Sequence, residues 1–80
     1  MAVLRLFAGA REAAGTGRDE LPGGTVGAVL DAARARYGSS FAEVLEHCAI
    51  WWNGEPCELD QPVSDRDEVA VLPPVSGGSA

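Results

Sequence analysis

The 80-residue sequence predicts an α+β domain, a sheet with one main helix packed on one face. Three observations carry that expectation. Apolar runs near the two ends, "MAVLRLF" (Met1 to Phe7) and "VAVL" (Val69 to Leu72), have the length and composition of strands. Between them, Val26, Val29, Leu30, Ala33 and Tyr37 fall at i, i+3, i+4, i+7 and i+11, one stripe of a helix. Asn53-Gly54, between "AIWW" and "EPCEL", is the signature of a tight hairpin turn.

Taken in order, the first strand places Leu4 and Leu6 inward by its period of two, with Val3, Arg5 and Phe7 outside. "AGAREAAGTG" reads as a glycine-closed loop with one helical turn around Glu12, and Arg11 and Glu12 as a loop-borne ion pair. "RDELP" is a short strand ended by Pro22, and Gly23-Gly24 turn the chain. Thr25 caps the main helix, and Gly38 supplies its left-handed stop. "FAEVLEHC" is a shorter helical piece with Phe41, Val44 and Leu45 inward. Pro56 confines the second arm of the hairpin to an edge. The last strand follows a loop, and its apolar character suits a central place beside the first.

Composition bounds the function. One domain with a single modest core fits this length, burying roughly 60% of the surface of the unfolded chain. A net charge of −6, with six scattered arginines, supplies no basic stripe for nucleic acid. Cys48 and Cys57 lack metal-site or disulfide-framework spacing, His47 has no second histidine, and no apolar run reaches membrane-spanning length. The expectation is a cytoplasmic protein that binds neither nucleic acid nor membrane.

The chain ends "VLPPVSGGSA". The expected boundary puts the folded domain at 1–72 and an extended tail at 73–80. Pro73 and Pro74 end ladder pairing and favour an extended path. From Pro73 to Gly78 such an arm reaches at most about 20 Å. Gly77 and Gly78, without Cβ atoms, can thread a narrow slot.

On "LFAGAREAAG", "WNGEP", "DEVAVLPPVSGG" and the central helix, the chain resembles the MoaD/ThiS sulfur carriers, and within them the small subunit of molybdopterin synthase. The resemblance implies a β-grasp (ubiquitin-like) fold with a mixed sheet. It also implies that the C-terminal glycine, Gly78 with Gly77 beside it, is adenylated by an E1-like adenylyltransferase using ATP and Mg²⁺. That glycine then becomes a thiocarboxylate and gives up its sulfur to the molybdopterin synthase large subunit or another sulfur-accepting enzyme. The carrier binds no cofactor itself and is not an enzyme. Family members mostly end at Gly-Gly, whereas Ser79-Ala80 follow here and keep the Gly78 carbonyl an amide. Activation therefore requires a processing protease; the alternatives are an appended scar or a chain that is never activated. Recipients in cysteine, thiazole or secondary-metabolite synthesis remain open. So do a protein modifier, joined through Gly78 to a target lysine, and a plain interaction module.

With Ile50 and Trp52 turned to the core, Trp51 joins Phe7 and Leu72 in an exposed apolar patch that continues into Pro73, Pro74 and Val75. This is the expected docking surface; the other parity would make Trp51 core. Glu55, Glu58, Asp60, Asp65, Asp67 and Glu68 read as a solvated acidic surface, with steering of a basic groove as the alternative. His47 reads as an exposed helix-end residue and the two cysteines as packing thiols. The sequence contains no lysine, so an activated Gly78 meets none on its own chain.

Overall fold

The two apolar runs at the chain's ends meet at the centre of one sheet. Ala2–Leu6 form β1 and Glu68–Leu72 form β5, paired in parallel with Leu4 opposite Val69 and Leu6 opposite Val71. Arg18–Leu21 form β2, antiparallel on the far side of β1. Ala49–Trp52 form β3, antiparallel to β5, and Glu55–Pro56 form β4 at the edge. The order across the mixed sheet is β2-β1-β5-β3-β4. A computed structural model provides this structure and describes residues 1–74. Val75, Gly77 and Gly78, and with them most of the expected tail, lie outside the described residues.

All three helices take the same face. Ala8–Ala14 form α1, Val26–Tyr37 α2 and Ser39–Leu45 α3. Ala2, Leu4, Leu6, Leu21, Val69 and Val71 from the strands pack against Ala10, Val26, Val29, Leu30, Ala33, Phe41 and Leu45 from the helices. The stripe on α2 is the predicted one, with four of its five residues buried and Tyr37 half-buried. Tyr37 gives its hydroxyl hydrogen to Asp19 on β2, and the Arg36 Nε reaches the same carboxylate at 2.9 Å. These two bonds fasten the end of α2 to an edge strand.

The start of α2 is held from another direction. The Thr25 hydroxyl accepts from the Ala28 N–H at 3.1 Å. Two more of the free N–H groups at a helix start, Val26 and Gly27, donate to the carbonyls of Gln61 and Leu59 at 2.9 and 2.8 Å. The loop between β4 and β5 thus serves as a backbone cap.

Two local expectations are corrected. The glycine-containing stretch after β1 is a two-turn helix, α1, because five of its seven residues are alanine or arginine, among the best helix formers. Arg11 and Glu12 are exposed on it, adjacent in sequence and so not facing each other as an ion pair requires. Gly38 does end α2 with a positive φ of 92°, but its ψ of −171° is extended, so the chain swings at once into α3 instead of closing a left-handed cap.

Candidate functional site

The face of the sheet opposite the helices is built by strand parity. Arg5 lies opposite Arg18 on one side and Ala70 on the other, Ala70 lies opposite Trp51, and Trp51 lies opposite Pro56. Directly opposed residues share a face, so these five form one row across the outside of the sheet. The next row toward the end of β5 contains Leu72 and, opposite it, Ala49. Phe7 remains extended, with φ −128° and ψ 151°, and so continues β1 to the level of Leu72. Ala8 then takes a positive φ of 49°, turning the chain into α1 and leaving the Phe7 ring at the corner.

Phe7 is 41% exposed and Trp51 36%, while Leu72 and Pro73 are half-buried and Pro74 is exposed. The predicted residues Phe7, Trp51, Leu72, Pro73 and Pro74 thus gather where β5 leaves the sheet. Ala70, with only a methyl group, leaves Arg5 and Trp51 standing on either side of it. The Arg5 guanidinium lies 5.9 Å from the centre of the Phe7 ring and 3.3 Å from Glu68. The cation covers one side of the ring.

The parity of β3 is fixed from beneath. Trp52 turns toward the helices and gives its indole N–H to Asp67 Oδ2 at 3.1 Å. The same carboxylate accepts from Asn53 Nδ2 at 3.1 Å and from the Ser64 backbone N–H at 2.8 Å. Asn53 adds two bonds with the backbone of Glu68, its N–H donating to the carbonyl and its Oδ1 accepting from the N–H, each at 2.8 Å. Asn53 and Gly54 have φ of 48° and 86°, the two positive values that a primed hairpin turn requires. "WNG" and "DEV" are therefore one linked unit that locks the β3–β4 hairpin onto β5 and holds Trp51 outward.

The sequence alone groups Asp67 and Glu68 with the solvated acidic surface. Both are half-buried and bonded, whereas Glu55, Glu58, Asp60 and Asp65 are exposed as expected. The missed signal was available: an inward-turned indole needs an acceptor, and an acid at the entrance of the neighbouring strand supplies one.

The three hydrogen bonds that Asp67 accepts hold its carboxyl below the usual carboxylate range, the Ser64 N–H having the largest effect. Asp19 is lowered too, first by the Tyr37 hydroxyl and also by Arg36. A depressed folded pKa gives stability that is fully present above the unfolded value of about 3.9 and is lost as pH falls through the folded value. Denaturation midpoints should accordingly be flat near neutrality and fall in acid below that value. Asp67→Asn should lower the neutral plateau and flatten the acid limb; an unchanged limb would assign the acid sensitivity to other groups.

Cys48 and Cys57 are half-buried, and burial raises both thiols. They pack as expected, and His47 is exposed just beyond α3. Among the described residues, no group of three or more His, Cys, Asp and Glu converges as a metal site, and no helix is long and apolar enough to cross a membrane.

Comparison with known proteins adds four findings. The model of the ThiS family matches residues 4–78. The chain is 37% identical over 84 residues to small archaeal modifier protein 1 of Haloferax volcanii, covering 92% of this chain and 97% of that one. The solution structure of small archaeal modifier protein 1 from Methanosarcina acetivorans superposes with a TM-score of 0.85 at 32% identity, over 96% of this chain and 95% of that one. One subunit in the complex of subunits 1 and 2 of the molybdopterin-converting factor from Helicobacter pylori superposes with a TM-score of 0.68 at 25% identity, over 96% and 97% of the two chains.

Proposed function

The chain belongs to the ThiS family, within the ubiquitin-like sulfur carriers and modifiers, and from that premise we propose that it carries sulfur on the carbonyl carbon of Gly78. The observation that carries this reading is the extent of the family match. It runs through Gly77-Gly78 and stops before Ser79-Ala80. A protease first releases Ser79-Ala80. The freed carboxylate attacks the α-phosphorus of ATP, held with Mg²⁺ by an adenylyltransferase, and pyrophosphate departs. A sulfur nucleophile then displaces AMP from the acyl carbon and leaves a thiocarboxylate, which is anionic and nucleophilic at neutral pH.

The described part of the chain serves this chemistry by presentation. The parallel β1–β5 pair fixes the root of the arm in the middle of the sheet. The patch of Phe7, Trp51 and Leu72 at that root offers an accepting enzyme an apolar anchor from which the arm enters its pocket. The large subunit of molybdopterin synthase is the proposed acceptor, supported by the likeness to a protein that is solved in complex with its second subunit.

A second reading is favoured by the likeness to small archaeal modifier protein 1: the activated Gly78 is joined to a lysine of another protein. Intact mass of the protein purified from its own cells separates the readings. Sulfur carriage predicts a species ending at Gly78 with one oxygen replaced by sulfur; modification predicts Gly-Gly remnants on lysines of other proteins after digestion. A population that retains Ser79-Ala80 throughout, in cells with working sulfur transfer, would overturn both.

A further inference from the structure

Resting on the reading that Gly78 becomes an activated acyl group, we infer that this chain is closed to its own activated end. No side chain of it captures that group, so side-chain transfer goes only to a different molecule, and any conjugate carries single copies instead of chains branched through a side chain.

The reaction that must be prevented is simple. A neutral amine attacks the Gly78 acyl carbon and a nitrogen–carbon bond forms. The carbon–oxygen bond to AMP breaks, AMP leaves with the electron pair, and the amine's proton passes to water. Lysine is the usual side-chain amine, and none occurs in the 80 residues. All six basic side chains are arginine, whose guanidinium stays protonated and is not a nucleophile.

The positions make this more than a count. Arg5, Arg18, Arg34 and Arg36 pair with Glu68, Glu20, Asp31 and Asp19 at 3.3, 3.3, 2.6 and 2.9 Å. Exposed pairs of this kind, which draw little from geometry, would be served about as well by lysine. Arginine keeps each pair and withholds the nucleophile. Arg5 lies over the Phe7 ring, 5.9 Å from its centre, and is arginine as well.

The two thiols and the tyrosine hydroxyl are occupied. The Cys48 thiol donates to the Val44 carbonyl at 3.1 Å and the Cys57 thiol to the Ile50 carbonyl at 3.8 Å, and burial moves both away from the thiolate form. The Tyr37 hydroxyl is bound to Asp19, and burial followed by that bond pushes its pKa up to about 12. The Met1 amine, exposed and paired with Asp65 at 2.9 Å, is the one amine left, and the test takes it away by acetylation.

The test installs activation chemically, so that it does not depend on an activating enzyme. The chain ending at Gly78 is prepared as a C-terminal thioester by intein cleavage and held concentrated at mildly alkaline pH. Here the amine displaces a thiol, which leaves with the electrons of the carbon–sulfur bond. With Met1 acetylated in every sample, the wild type should decay to the free carboxylate alone. The triple variant Arg18→Lys/Arg36→Lys/Arg66→Lys, and Arg66→Lys alone as a milder change, should yield amide-linked dimers that resist denaturant and reducing agent. Peptide mass spectrometry should place Gly78 on the new lysines. Amide-linked dimers of the wild type, or lysine variants that form no more dimer than the wild type, would overturn the inference. A failure to find sulfur or conjugates in cells would strike the functional reading and leave this result as it stands.

Discussion

Phe41→Ala is expected to lower the thermal midpoint by about 15–30 °C, the shift that a loss of 3–5 kcal/mol produces in a domain of this size. Phe41 is fully buried and is the largest side chain in the core. Its ring meets the edge of Tyr37 at 5.2 Å between centres and 62° between planes. Truncation therefore removes the buried ring and also the support of the tyrosine that ties α2 to β2. A domain of 80 residues has a stability of roughly 4–12 kcal/mol, so the loss is a large share of the whole. Val44→Ala on the same helix is the control, because Val44 is only half-buried and little cavity forms. A shift below about 5 °C for Phe41→Ala would mean that the helices close over the missing ring, as collapsible sites do.

Much of this architecture was legible because strong local signals agreed with one another. The α2 stripe, the Thr25 cap, the Asn53-Gly54 turn and the alternation of β1 each point to a single structure, and each is observed. The parity of β3 was the open choice, since two adjacent tryptophans do not say which one faces inward. The choice is made by Asp67, which is distant in sequence and gives the Trp52 indole its acceptor. The two-turn α1 was obscured by its glycine, although alanine and arginine outweigh that cost. The loop that caps α2 was illegible because backbone carbonyls do the capping, and any sequence supplies those. Of the candidate site, Phe7, Trp51, Leu72, Pro73 and Pro74 lie together where β5 leaves the sheet, while Val75, Gly77 and Gly78 lie outside the described residues. The proposed reactive group is main chain, which is why the motif spacing carried more of the functional reading than any side-chain cluster.

Removing residues 77–80 should abolish sulfur transfer entirely and leave the thermal midpoint within about 2 °C of the wild type, the scatter expected of a change outside the core. Among the described residues the core is made from positions 2 to 71. Trp51→Asp should act differently. Its ring is partly exposed on the open face, so the fold tolerates the change, but an aromatic docking anchor contributes about 2 kcal/mol or more to binding. Transfer by Trp51→Asp should therefore fall about 30-fold at low acceptor concentration and recover as the acceptor is raised. Leu59→Asp is the matched control: Leu59 is 56% exposed, but it lies in the loop whose carbonyl caps α2, away from the row through Trp51. The defects separate because one variant lacks the reacting carbon and the other only presents it poorly. A truncated chain that still transfers sulfur would remove Gly78 from the mechanism. Wild-type transfer by Trp51→Asp at limiting acceptor would instead move the docking surface off this face and leave the chemistry intact.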